Sequence, residues 1–215
     1  MAKRKIKLTR TELKAQRDAL KRYERYLPTL KLKEQQVQSS IVQTHQMMRK
    51  VQADLDAARR VVTAYEGIFN DTAGVNVRVL ARPSEVQTVH HSIAGVAVPQ
   101  FQDVLFPKAD YSLFGTAAWT DRALVDLRRL NRCQAEWDVL HERLELLKAE
   151  LKKVMQRVNL FEKIMIPQTV DNIRRIRIAV GDQMTASVAR AKIAKTKLEQ
   201  KAALDAAKAK EAVAL

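Results

Sequence analysis

The stretch LKAQRDALKRYERYLPTLKLKEQQVQSSIVQTHQMMRKVQADLDAARRVVTAYEGIF, residues 13–69, decides the fold. Every seventh residue from Leu13 reads Leu13, Leu20, Leu27, Glu34, Ile41, Met48, Leu55, Val62 and Phe69. A second set, three residues on, reads Gln16, Tyr23, Leu30, Val37, Thr44, Val51, Ala58 and Tyr65. Fourteen of these 17 positions are apolar, over eight heptads without a slip. A straight helix has about 3.6 residues per turn, so an apolar stripe that keeps a strict seven-residue period must wind around a partner. The stretch therefore reads as one seam of a left-handed coiled coil. Thr9 followed by Glu12 is the capping-box pattern, in which a hydroxyl and a carboxylate satisfy orphan backbone N–H groups at a helix start. Pro28 lies inside the pattern and should remove a hydrogen bond there; because the seam stays in phase across it, a kink and not a break is expected. At about 1.5 Å per residue the helix spans roughly 90 Å.

The partner seam comes from the same chain. A second helix is expected to start after Thr120, with Asp121 in its first turn. One of its seam positions reads Leu130, Trp137, Leu144, Leu151, Val158 and Met165, and the other Cys133, Leu140, Leu147, Val154 and Phe161. Near Pro167 the phase slips by a residue or two and resumes as Ile166, Val170, Ile173, Val180, Met184, Ala191 and Leu198. A slip of this kind changes the supercoil locally and accompanies a bend. Past Leu198 the Ala- and Lys-rich segment EQKAALDAAKAKEAVAL has high helix propensity and little to bury, so fraying is expected.

Between the helices, residues 70–119 hold Pro83, Pro99 and Pro107 with Gly74, Gly95 and Gly115. Asn76–Leu80 and Val86–Val89 read as short strands separated by a turn at Pro83-Ser84, and Val96–Val98 as another that ends at Pro99. Some fifty residues is too long for a simple turn and suggests a small functional head. The expected fold is all-α dominated, a long antiparallel two-helix coiled coil with a small β-containing head between the helices. The expected divisions are residues 1–69, 70–119 and 120–198, with residues 199–215 as an Ala/Lys-rich tail.

Composition agrees with long helices: 29% of residues are charged, 5% aromatic and 47% hydrophobic, enough to supply a packed seam and too much for a disordered chain. The formal charge is +15, with 16 basic and 7 acidic residues in 1–69, 3 and 4 in 70–119, and 20 and 13 in 120–215. Basic arms suit nucleic acid, an anionic membrane surface or an acidic protein partner, and the sign alone does not choose. No run approaches the roughly 18 apolar residues of a membrane span. The basic residues 1–10 have no apolar segment behind them, so no secretory signal is expected. A single cysteine suits a reducing compartment, and the expected location is cytoplasmic.

The search for chemistry is unproductive. No G-x-x-x-x-G-K-[ST] loop occurs to hold a nucleotide. His141-Glu142 opens like a zinc-peptidase helix but lacks the second histidine. His90 and His91 are adjacent in an expected strand, so they point to opposite faces and do not share an ion. Cys133 falls on the seam as a small core residue, Trp137 is a core knob and Trp119 an anchor beside the connector. Lys3, Arg4, Lys5, Lys7 and Arg10 form a basic lead-in without interleaved aromatic residues, a weak nucleic-acid signal. No catalytic residues, cofactor or metal ligands are expected, and the chain reads as a non-enzyme. A basic coiled-coil scaffold or nucleic-acid-associated hairpin shares the same heptads and charge.

Longer motifs break the tie. Arg157-Val158-Asn159, Glu162 and Ile166-Pro167 closely resemble the R-V-N-x-x-E-x-x-x-I-P signature of the D subunit of the V/A-type rotary ATPases. Arg190, Lys192 and Lys195 are similar to that family's closing R-x-K-x-x-K motif, and Gly95 to Pro99 to its G-V-x-V-P segment. Thr11-x-Leu13 and Leu30 to Lys33 resemble its opening elements, so the matches run in order over nearly the whole chain, at a length suiting the prokaryotic branch. The departures are Pro28 and the Ala-rich tail. The resemblance implies a central-stalk rotor shaft that carries torque between the catalytic ring of A and B subunits and ion translocation in the membrane ring. It also implies contact with the F subunit of the stalk and with the rotor socket (the C or d subunit), the membrane being reached only through the complex. On this reading the motif residues are partner or helix–helix contacts, with no nucleotide or nucleic acid bound.

Overall fold

The computed structural model describes residues 6–70, 75–112 and 114–213, with side chains for all of them except Asn70 and residues 203–213. Lys3, Arg4 and Lys5 of the basic lead-in, Gly74 of the connector and the last two residues of the tail lie outside the described residues. The first long helix, α1, runs Arg10–Thr63 without interruption at Pro28. Between it and the second long helix lie a short 3-10 turn at Glu66–Asn70, a single helical turn α2 (Val77–Leu80), and two strands, β1 (Glu85–Ile93) and β2 (Val96–Leu105). The second long helix is α3 (Thr120–Asn159), which passes through a π-helical turn at Leu160–Met165 into α4 (Ile166–Val213). The chain divides into two units, one of Thr29–Val158 and one of Met1–Pro28 with Asn159–Leu215.

Helix α1 starts as its sequence requires, with the Glu12 N–H donating to Thr9 Oγ1 at 3.3 Å. All 17 seam positions of residues 13–69 are buried or half-buried. The polar exceptions are satisfied locally. Thr44, fully buried, donates its hydroxyl to the Ser40 carbonyl at 2.8 Å, and Gln16 donates to Glu12 Oε1 at 2.8 Å. A buried hydroxyl that bonds one turn back along its own helix leaves no unpaired group in the seam.

In the larger unit α1 and α3 run antiparallel. Lys33 Nζ reaches Glu150 Oε1 at 2.9 Å, and near the other end Tyr65 donates to Asp126 Oδ2 at 2.8 Å. Val37 of α1, Leu147 of α3 and Val98 of β2 form one fully buried cluster, with Ile41, Ile93, Ala94, Val96 and Leu151 around it. A second core lies under the connector, where Val77 and Ala81 meet Ala123 and Leu124. Helix α3 also ties the connector down through its polar face. Arg128 Nη2 donates to the carbonyls of Pro107 at 2.6 Å and Leu80 at 3.2 Å, and Asn131 donates to Ala81 O at 2.7 Å. In the smaller unit Tyr23 meets Phe161 edge-on at 5.3 Å.

Three sequence readings are corrected. Asn76–Leu80 is a helical turn and not a strand. Asn76 Oδ1 accepts the Val79 N–H at 3.2 Å as a helix cap, and the buried pair is Val77 and Ala81 one turn apart, while Val79 is 60% exposed. The alternating Val-Arg-Val pattern imitated a strand. The strand at Val96 continues through Pro99 to Leu105, with Pro99 opposite His90. A two-stranded sheet leaves each strand one unpaired edge, where a missing N–H breaks no ladder bond. In α4 the seam runs through Ile166, Thr169, Ile173, Ile176 and Val180; Val170, Met184, Ala191 and Leu198 are exposed.

The hairpin turn joining β1 to β2 holds Ala94 at φ 51° and Gly95 at φ 79°. A Cβ added at Gly95 would meet nothing within 4 Å, so Gly95→Ala tests backbone strain alone. It is expected to destabilise the hairpin by about 1–2 kcal/mol. Faster amide exchange in β1 and β2, with the helices unchanged, is the readout.

Candidate functional site

The residues marked by their motifs lie on three kinds of element. Gly95 and Pro99 sit on the hairpin, Gly95 exposed at the turn and Pro99 buried. Arg157 and Asn159 are exposed in the last turn of α3, Glu162 is in the π turn, and Pro167 is the second residue of α4. Arg190, Lys192 and Lys195 are exposed along α4, with Lys195 3.8 Å from Glu199. Apart from Pro99, all are surface residues, and no general base is placed against a nucleophile among them.

The π turn has a legible cause. The Ile166 N–H donates to the Phe161 carbonyl five residues back, one more than in an α-helix. Pro167 has no N–H, so the carbonyl of Lys163 loses its normal α-helical donor. Thr169 Oγ1 also donates to Met165 O, one turn back, at 2.6 Å. The phase slip seen in the sequence is this turn, which ends two residues before Pro167.

Charge is divided unequally. Residues 1–28 and 159–215 carry 21 basic and 9 acidic side chains, and residues 29–158 carry 18 and 15. The smaller unit is therefore +12 and the larger +3. Cationic side chains spaced along exposed helix faces attract an acidic partner at long range without requiring fixed contacts.

The larger unit has an open groove of about 1070 Å³, walled by Phe69, Arg78, Arg82, Val86, Asp138 and Glu142 among others. Its walls mix both charges with apolar surface. The remaining candidates are spread over separate elements. His90 and His91 are exposed on β1, opposite Pro99 and Val98. Trp137 is half-buried and stacks on His141 at 5.1 Å, Trp119 meets Phe69 edge-on at 5.9 Å, and the half-buried Cys133 has its thiol pKa raised by burial.

One tie from the turn after α1 to α3 escaped the sequence reading. Tyr65 Oη donates to Asp126, which also receives Arg122 Nε at 3.1 Å. Burial first, and then the hydrogen bond to the Asp126 carboxylate, push the Tyr65 phenol up to about 12. A pKa raised above its unfolded value means stability that is complete below about pH 10 and is lost as pH rises toward 12. Tyr65→Phe is expected to flatten that alkaline loss in a series of thermal melts between pH 9 and about 12.

The family model described as the D subunit of ATP synthase matches residues 12–196 of this chain. The V-type ATP synthase D subunit of Borreliella burgdorferi is 35% identical over 201 residues, covering 92% of this chain and 96% of the relative. The Chlamydia pneumoniae protein of the same name is 34% identical, covering 90% and 93%. That of Chlamydia trachomatis serovar L2 is 33% identical over 202 residues, covering 91% and 97%.

Proposed function

The chain belongs to the family of ATP synthase D subunits, and from that membership we propose that its paired long helices are a torque-bearing rotor shaft. It is a central-stalk component of a V-type ATP synthase. The observation that carries the shaft reading is the seam: all 15 of the heptad positions that lie in the first helix are buried or half-buried. A shaft must resist bending and twist while its outside slides past its neighbours. Within the larger unit, α1 and α3 locked along a buried seam supply stiffness, and their outer faces stay polar.

The proposed partners are the ring of A and B subunits, the F subunit of the stalk, and the rotor socket formed by the C or d subunit. The +12 unit of residues 1–28 and 159–215 is the part proposed to turn inside the ring, guided by diffuse attraction to acidic surface. The chain itself is proposed to be non-catalytic, transmitting torque between ATP turnover in the ring and ion translocation in the membrane. Among the described residues no helix is long and apolar enough to cross a membrane, which supports a peripheral position reached through the complex.

The test is purification of the tagged chain from native membranes in mild detergent. Recovery of the A, B and F subunits with ATPase activity is the expected result. Recovery of the chain free of them, bound to nucleic acid and released by salt, overturns the proposal.

A further inference from the structure

We propose that Arg143 is a carboxylate-binding position that receives an acidic side chain from a protein neighbour in the stalk; this rests on the central-stalk reading. Arg143 lies on α3 and is 9% exposed. Its Nε is sealed from solvent, and among the described residues the guanidinium makes no hydrogen bond, ion pair or ring contact. Two other arginines of α3 that meet the connector are satisfied. Arg128 Nη2 donates to Pro107 O at 2.6 Å, and Arg132 Nη2 lies 3.3 Å from Asp103 Oδ1. An arginine stays charged at any ordinary pH, so it does not escape the cost of burial by losing its proton. A sealed and unpaired N–H of a charged group therefore destabilises the chain as it stands.

No carboxylate of the larger unit is placed to pair with it. Lys33 meets Glu150 and Val37 packs on Leu147, so the α1 residues just past Val37 lie opposite Arg143. From Gln35 to Ala53 that helix has no Asp or Glu, and the hairpin has none from Val86 to Gln102. On α3 the positions three and four residues away, Val139, Leu140, Leu146 and Leu147, are all apolar. Glu142 and Glu145 are close in sequence but occupied elsewhere. Glu142 walls the open groove, and Glu145 accepts from Lys148 at 2.9 Å. Glu136 and Glu150 lie two turns away, about 10 Å along the axis, and Glu150 already accepts from Lys33.

The hairpin crosses α3 from Arg132, which meets Asp103, to Leu147, which packs on Val98, and Arg143 lies between those contacts. On this crossing β2 carries Gln102, left without a partner where the register shifts from Gln87–Asp103 to Thr88–Phe101. A bulge interrupts the ladder locally, so the segment can shift and uncover one edge of the guanidinium. Leu146, three residues on from Arg143 and 40% exposed, supplies apolar surface on the same side of α3. A carboxylate entering there takes two parallel N–H···O bonds from Nε and Nη, the arrangement in which arginine holds a carboxylate most strongly. The burial that destabilises the lone chain is thus compensated in the complex, and one residue weakens the first while tightening the second.

The experiment compares the full wild-type chain with Arg143→Met, which keeps an unbranched stem and removes the charge and the donors. Each chain is melted alone and then titrated onto ATP synthase complex prepared without it. Arg143→Met is expected to melt at or above the wild-type temperature, because an apolar side chain replaces a buried charge that has no partner. It is also expected to bind the complex at least about thirtyfold more weakly, as loss of one member of a desolvated charge pair does. A melting temperature clearly below wild type would make Arg143 a structural residue of this chain and overturns the proposal. So does binding as tight as that of wild type. A rise of the wild-type melting temperature in millimolar inorganic phosphate, absent in Arg143→Met, would assign a free anion in place of a protein carboxylate and equally overturn it. Failure of the wild-type chain itself to join the complex is a separate outcome, which removes the central-stalk reading and the proposal with it.

Discussion

Leu147→Ala is expected to destabilise the chain by about 3–4 kcal/mol, the largest loss of any single truncation considered. Leu147 is fully buried where α1, α3 and β2 meet, against Val37 and Val98. Truncation removes the transfer free energy of the lost methyl groups and leaves a cavity that three packed elements cannot readily collapse into. Alanine's slightly better helix propensity offsets only a few tenths of a kcal/mol. Because Val98 rests on the same cluster, hairpin amides should exchange faster as well. Leu198→Ala, at a position 68% exposed, is the contrast and should shift stability by less than about 0.5 kcal/mol. Denaturant unfolding of both variants checks the pair. Similar losses at both positions would mean that the buried seam does not dominate stability.

The second large effect is functional. Replacing Arg174, Arg175, Arg177, Arg190, Lys192 and Lys195 with glutamine takes six positive charges from exposed positions in the +12 unit. Glutamine has nearly the helix propensity of the residues it replaces, so helix content and melting temperature should hold. Association with the rest of the complex should slow by on the order of tenfold at low salt. The difference should narrow as salt rises, because charges are screened beyond about 8 Å at physiological ionic strength. Coupling of ATP hydrolysis to ion pumping should fall further than stability does. Unaltered hydrolysis and pumping would remove the electrostatic part of the account.

How much of this was legible in the residues depended on how far each signal extended along the chain. The heptads of residues 13–69 sum one preference over many turns, and Pro28 does not outweigh them, although the helix itself ends at Thr63. The connector is different because each element there is decided by one or two residues. Val77 and Val79 imitate strand alternation, and a single Asn76 side chain capping a turn reverses the outcome. Past the π turn, reading apolar residues alone picked Val170 and passed over Thr169, which is 5% exposed. The Thr169 hydroxyl bonds back to Met165 O, as Thr44 bonds to Ser40 O, so a threonine fits a seam that its polarity argues against. Ile176, fully buried, was missed for a different reason, since the one-residue offset was not assigned to a definite turn.

The candidate site was legible only through its motifs. Arg157, Asn159 and Glu162 show no chemistry as isolated residues, and their exposure on a helix is what any polar residue of a coiled coil would have. Arg157 and Asn159 precede the π turn and Glu162 lies within it, and only the resemblance to a family motif singled them out.

The most direct measurement follows rotation of the chain itself. Phe114 in the connector is fully exposed, so Phe114→Cys in a Cys133→Ala background gives one attachment point for a bead. With the A and B ring fixed to a surface and ATP supplied, the bead is predicted to turn continuously in one direction. ATP hydrolysis at the normal rate, with the bead bound and stationary, would contradict the account.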